Sequence, residues 1–273
     1  MVTGRTMRRR AMALLLVVAL TITMGTMTAC PWLGGKEDRS LVRVRQAGVL
    51  RVGLDASYPP FEEIDGATGE IRGFDVDLAR ELGRRLGVEV EIVNSGWDGL
   101  YDALEAGRFD AVISGLVYDP WQTDRVAYSI SYFNAGQVLV VREDAREDEE
   151  AIAQVGDLKG RTLGVEVGSE GDVQGHELRK RLRDLTLRPY PAPTDVLRAV
   201  RQGEVDAGLV DAISARQFIR TEGGVRIVGP PVSDELYVVA VRLEDQALLK
   251  AINAALVEMR DDGTLSRLAD KWL

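Results

Sequence analysis

The chain has 273 residues, with 34 Lys and Arg against 43 Asp and Glu, a formal net charge of −9, one Cys and one His. An acidic balance of this kind disfavours nucleic acid, whose phosphates call for Lys and Arg. A lone cysteine, Cys30, makes neither an internal disulfide nor a multi-cysteine metal site.

At the N-terminus, Arg5, Arg8, Arg9 and Arg10 precede an uncharged stretch from Ala11 to Ala29 that ends at Cys30. Basic, then apolar, then small residues is the order of a secretory signal, here 1–29. Its most apolar part, Ala11 to Leu20, is shorter than the roughly 20 residues of a spanning helix. Met27-Thr28-Ala29-Cys30 resembles a bacterial lipobox, with Met27 where Leu is usual. The resemblance implies lipidation of Cys30 and attachment to the outer face of the cytoplasmic membrane by a lipid rather than a helix. An ordinary cleaved signal with a leftover cysteine is the competing reading. Cleavage would remove four arginines and no acid, leaving the body more acidic still. Residues 30–48 then read as attachment point and spacer, with Gly34 and Gly35 among charged residues.

From Val49 onward, short β-branched runs alternate with helical periodicity, the pattern of βαβ units and a largely parallel sheet. Val49–Gly53 and Val88–Val93 read as strands. Between them Phe74, Leu78, Leu82 and Leu86 recur at one-turn spacing and Gly87 follows, which predicts an amphipathic helix over Asp75–Leu86. A second helix is expected from Asp98 to Gly107, and a third from Asp172 to Leu182. The segment 103–111 (ALEAGRFDA) reappears as 199–207 (AVRQGEVDA), in each case a helix end, a Gly turn and the start of a strand, Val112–Leu116 and Gly208–Asp211. Such a repeat points to two lobes of like construction, although helix-Gly-Asp-strand turns also recur by chance in α/β proteins. The charged run Arg142–Glu150 has no apolar face and reads as solvated surface.

In open parallel sheets ligands bind beyond the carboxyl ends of the strands. The candidates are therefore Asp55–Phe61, Ser114–Tyr118, Gly168–Asp172 and Asp211.

Residues 50–61 (LRVGLDASYPPF), 73–78 (GFDVDL), 97–100 (WDGL), 109–115 (FDAVISG), 157–160 (DLKG) and 259–265 (MRDDGTL) resemble the family 3 extracellular solute-binding proteins. The resemblance implies an α/β periplasmic-binding-protein-like fold, with two α/β lobes joined by two crossing strands at Gly136–Val141 and Leu236–Val241 and a ligand cleft between them. Lobe 1 would comprise 49–137 plus 236–273, and lobe 2 residues 138–235. Function would be capture of a small polar solute, an amino acid or amine-like compound, for an ABC permease. No cofactor is implied, and a monomer is the default.

Carried over position by position, the resemblance assigns ligand-binding roles as follows. Tyr58 is the stacking aromatic, and Phe61 and Trp97 are apolar walls. Ser114 and Gly115, with Leu116, form the strand end that offers a hydroxyl and backbone groups. Ser169 is the hydroxyl of the second lobe, near a helix N-terminus that suits an anion. Asp211 is the acid that holds an α-ammonium. The departures are Val117, where a Ser or Thr is usual, and Gln122, where an Arg grips the ligand's carboxylate in a fork. Arg125 lies nearly a turn beyond, its direction open. Asp55, Asp119 and Asp211 among Tyr58, Trp97 and Trp121 favour a cation over a carboxylate. Asp119 and Trp121 alternatively serve only to cap and pack a helix starting at Pro120.

Two other functions compete. A periplasmic dehydratase is known on this fold, but His176 sits among charged residues of its predicted helix and no nucleophile, metal or phosphate motif is present. A sensor reporting to a membrane receptor would have the same cleft.

Overall fold

The computed structural model describes residues 38–144 and 151–273. The signal 1–29, Cys30, residues 31–37 of the spacer and residues 145–150 of the Arg142–Glu150 run lie outside the described residues, whereas Ser40–Ala47 of the expected spacer is a helix with Ser40 and Val44 buried. Among those described, no helix is long and apolar enough to cross a membrane.

The described chain opens with α1 (Ser40–Ala47) and β1 (Val49–Leu54), then a small meander of β2 (Ser57–Tyr58), β3 (Glu62–Ile64) and β4 (Ile71–Arg72). Next come α2 (Phe74–Leu86), β5 (Glu89–Asn94), α3 (Leu100–Glu105), β6 (Ala111–Val112), β7 (Val126–Tyr128), β8 (Phe133–Asn134) and β9 (Gln137–Arg142). The second half contains β10 (Thr162–Glu166), α4 (Glu170–Arg181), β11 (Thr186–Tyr190), α5 (Pro193–Gln202), β12 (Ala207–Asp211), α6 (Ala212–Thr221) and β13 (Val225–Val228). The chain closes with β14 (Leu236–Tyr237), β15 (Ala240–Arg242), α7 (Gln246–Asp261) and α8 (Thr264–Trp272).

Two five-stranded sheets result, ordered β5-β1-β6-β15-β7 and β11-β10-β12-β9-β13. They are built alike. In each, three parallel strands (β5-β1-β6, β11-β10-β12) are followed by an antiparallel one, β15 or β9. The sequence repeat is the local cause. After Gly107 (φ 70°) and Gly203 (φ 73°), Asp110 and Asp206 each dock on the start of the central strand. The Asp110 N–H donates to Arg51 O while its carboxylate accepts from Arg51 N–H, and Asp206 does the same with Thr162. An acid at that position thus satisfies backbone groups that the ladder leaves open.

The sheets are connected through a two-stranded antiparallel ribbon in which β8 pairs with β14, with Asn134 opposite Leu236 and Phe133 opposite Tyr237. β8 leads into β9 of the second sheet, and β14 leads into β15 of the first. An aromatic cluster of Phe61, Phe74, Phe133 and Tyr237 fills the space beneath, with ring centroids 5.1 to 5.9 Å apart.

Three local expectations are corrected. The helix from Asp98 divides into a 3-10 turn, Trp97–Gly99, and the short α3. The helix from Pro120 is only one 3-10 turn, Pro120–Gln122, so Arg125 is not on a helix. The strand Val112–Leu116 stops at Val112. Gly115 has a left-handed φ of 52° and its N–H turns to the buried carboxylate of Asp75, so the ladder cannot continue.

Gly136 passes so close to the Ser233 carbonyl that a Cβ would overlap it, and a backbone atom has little room to yield. Gly136→Ala is expected to lower unfolding stability by about 2 kcal/mol in urea titration, and an effect under about 0.5 kcal/mol would show that the ribbon yields.

Candidate functional site

The carboxyl end of β1 and the loop after β6 meet at Ser114. Its hydroxyl accepts from the Asp55 N–H at 3.0 Å and donates to Glu62 Oε1 at 2.6 Å. Asp55 Oδ2 in turn accepts from the Trp97 N–H at 2.9 Å, which fixes the 3-10 turn carrying the indole. Tyr58 stacks on Phe61 at 5.5 Å, and its hydroxyl is hydrogen-bonded to that of Tyr237 at 2.9 Å. A Cβ on Gly115 would overlap the Tyr58 ring, so only glycine lets the ring lie on that backbone.

A cleft of about 340 Å³ is lined by Asp55, Ser57, Tyr58, Trp97, Ser114, Gly115, Val117, Glu235 and Tyr237. The Trp97 side chain is half-exposed. Among these residues there are two carboxylates, three aromatic rings and no cation.

The structure brings Asp55, Tyr58, Trp97, Ser114 and Gly115 together as the sequence expects. It does not bring the others to this wall. Phe61 is fully buried under Tyr58, supporting the stacking ring rather than touching solvent, and Leu116 is buried in the cluster around Phe109 and Val126. Asp119 accepts from the Trp121 N–H at 2.8 Å and caps its turn, as the alternative expects, but the Trp121 side chain is 87% exposed, packing no helix and lying outside the cleft lining. Gln122 lies on the same turn, also off the cleft lining. Arg125 is engaged by the acids of α3, donating to Asp102 at 2.6 Å and to Glu105 at 2.9 Å, and so does not replace the missing clamp.

Ser169 and Asp211 stand at the carboxyl ends of β10 and β12 and cap α4 and α6. The Ser169 hydroxyl accepts from the Asp172 N–H and donates to Glu166 O, while Asp211 Oδ1 accepts from the Ser214 N–H at 2.8 Å. Asp211 also acts on two carboxylates that the sequence reading missed. Glu166 and Glu235 are both pushed above the ordinary carboxylate range, first by burial and then by the negative charge of Asp211. Glu235 immediately precedes the crossing strand β14. Its place beside Leu236–Val241, the expected crossing, was the available signal.

The strand end differs from expectation in polarity. The Ser114 hydroxyl proton goes to Glu62 and the Gly115 N–H to Asp75, so both donors are spent beneath the cleft rather than offered to a ligand. What remains at this wall is acceptor character, which suits a cation. His176 is exposed on α4 beside Arg179 and Asp172, away from the cleft.

The sequence matches the model of bacterial extracellular solute-binding proteins, family 3, over residues 50–273. The chain belongs to this family. Among its relatives, the L-cystine-binding protein TcyJ of Escherichia coli (strain K12) is 32% identical over 237 residues, covering 86% of this chain and 86% of the relative. The arginine-binding extracellular protein ArtP of Bacillus subtilis (strain 168) is 30% identical over 261 residues, covering 95% and 96%. Of solved structures, an ancestral cationic amino acid solute-binding protein is 33% identical with a TM-score of 0.58 over 85% of this chain and 99% of that one. An ancestral cyclohexadienyl dehydratase is 27% identical with a TM-score of 0.73, covering 85% and 95%. The periplasmic-binding-protein-like fold and the solute-binding role follow for this family member.

Ser114→Ala removes one hydroxyl and strands two partners, the Asp55 N–H and Glu62 Oε1. Unfolding in urea is expected to show a loss of about 2–3 kcal/mol, and an unchanged midpoint would mean that these groups find other partners.

Proposed function

We propose that this solute-binding protein captures a small cationic solute, an amine or an amino acid with a cationic side chain, and delivers it to an ABC permease. The observation that carries the ligand class is the lining of the cleft: Asp55 and Glu235 among Tyr58, Trp97 and Tyr237, with no cationic side chain. Asp211 and Glu166 add negative charge from the second sheet, and Glu235 already lies within reach of Asp211's field. A cation entering here gains charge pairing plus about 0.5–2 kcal/mol per aromatic face. A carboxylate would meet neither the arginine fork nor the donors of Ser114 and Gly115. The relatives named for arginine and cationic amino acids agree with this charge preference.

Binding is proposed to close the lobes, 49–137 plus 236–273 against 138–235, by a hinge at the β8–β14 ribbon. The same reading takes residues 1–29 as a secretory signal, Cys30 as the lipid-bearing terminus and the body as a monomer held at the outer face of the cytoplasmic membrane. Export and lipidation are checked by mass spectrometry of the mature N-terminus, where an unmodified Cys30 would contradict the anchor.

Thermal shift of the purified protein against amines, cationic amino acids and acidic amino acids tests the ligand class, because a ligand bound only to the folded state raises the midpoint. Amines and cationic amino acids are expected to stabilise it; stabilisation by acidic amino acids alone would overturn the reading. Affinity for the cation is expected to fall as the pH is lowered into the raised range of Glu235 and Glu166. There each carboxylate takes up a proton and loses its charge, by at most about tenfold per pH unit for each group. A calorimetric titration at two pH values reads this, and a flat profile would exclude both groups from contact.

A second reading comes from the likeness to the ancestral dehydratase. Glu235, pushed above the usual range in the cleft, is the group available as a general acid. Turnover of a cyclohexadienyl substrate by the purified protein would support that reading, and its absence is expected.

A further inference from the structure

Glu62 and Asp75 are both fully buried, one on β3 and the other in the first turn of α2. Each has one oxygen that is fully accounted for. Glu62 Oε1 accepts from the Ser114 hydroxyl, and Asp75 Oδ2 accepts from the Gly115 N–H and, at 2.9 Å, from the Tyr132 hydroxyl. The second oxygens, Glu62 Oε2 and Asp75 Oδ1, are buried and have no donor. The two carboxylates lie under adjacent residues, Ser114 and Gly115, and act on each other electrostatically. Two buried orphan acceptors on carboxylates held by adjacent residues are explained together by one hydrogen between them. Two adjacent buried carboxylates without a cation cannot both stay ionised.

The groups that act on the pair come from every side of it. They are Asp55 after β1, Ser114 and Gly115 after β6, Tyr132 before β8 and Tyr237 on β14. None of them is a cation. Burial pushes Glu62 up, and the negative charge of Asp75 pushes it further in the same direction.

We propose that Glu62 and Asp75 share a single proton, and that this singly charged pair is the positioning device that fixes the Ser114–Gly115 wall of the cleft. With one proton held between them, the outer oxygens remain acceptors, so Ser114 and Gly115 are pulled down by their donors and present acceptors above. Asp55 is held by the same Ser114 oxygen, and through Asp55 so is the Trp97 turn. One proton therefore sets the polarity of the wall and the position of its aromatic neighbour. The pair keeps one negative charge under the cleft floor, where it also favours a cation above.

The folded protein carries this proton at pH values where the unfolded chain has released it, so the folded state binds more protons. Stability from the pair is full at low pH and is lost as pH rises toward the raised value. Glu62→Gln replaces the acid by an amide that still accepts from Ser114 and donates to Asp75, but has no proton to lose. Relative to Glu62→Gln, the folding equilibrium of the parent protein is expected to shift toward unfolding by about tenfold per pH unit between about pH 7 and 9, read by urea denaturation. Infrared spectra of the purified protein at pH 8 are expected to show a protonated carboxyl band that disappears in Glu62→Gln. The Gly115 amide is expected to keep its hydrogen-exchange protection in Glu62→Gln and in Asp75→Asn. Parallel pH profiles for parent and Glu62→Gln, or no protonated carboxyl band in the parent, would overturn the proposal. So would loss of Gly115 protection in a Glu62→Gln protein whose far-ultraviolet dichroism is unchanged. No ligand enters this test, so its outcome is separate from that of the ligand panel.

Discussion

The cleft depends on where the Ser114 hydroxyl proton goes. Directed down to Glu62, it leaves the oxygen to accept from Asp55, and Asp55 is then free to hold the Trp97 turn with its carboxylate. The adjacent Gly115 N–H is drawn down to Asp75 by the same buried acids. Four segments far apart in sequence are thereby locked into one wall, and the wall is left with acceptors and carboxylates facing outward. Its preference for positive charge arises from the layer beneath the ligand as much as from the layer that touches it.

The scaffold makes this arrangement possible by repetition. Two sheets of like order are joined through the β8–β14 ribbon, and Asp110 and Asp206 secure the equivalent strand starts. The aromatic cluster of Phe61, Phe74, Phe133 and Tyr237 packs below the ribbon, so the stacking ring Tyr58 rests on a rigid base. Preorganisation of this kind reduces the ordering cost that a ligand would otherwise meet.

Much of this was legible in the sequence because it is local. The four-residue spacing of Phe74, Leu78, Leu82 and Leu86, about one helical turn, predicted α2 within one residue, and the Gly-x-x-Asp repeat predicted sheets of like construction. Asp55, Tyr58, Ser114 and Gly115 share one cleft lining because they stand at strand ends, and Trp97, expected from the family resemblance, joins them there. What was missed is non-local. Phe61 looks like a wall by sequence and is a foundation in three dimensions, because three rings from later segments close over it. The direction of the Ser114 donor depends on Glu62, and Arg125 was drawn off by Asp102 and Glu105, neither of which shares a motif with it. Asp119 followed its local signal, Asp before Pro, and became a cap rather than a ligand group.

The decisive comparison is a calorimetric titration with arginine and with agmatine, which has the same guanidinium but no carboxylate. A cleft that reads positive charge and lacks a carboxylate clamp predicts affinities within about tenfold of each other, or agmatine the tighter. Arginine binding more than about a hundredfold tighter would mean that a carboxylate fork of about 3 kcal/mol forms on closure, and would contradict a cleft specified by its acids alone.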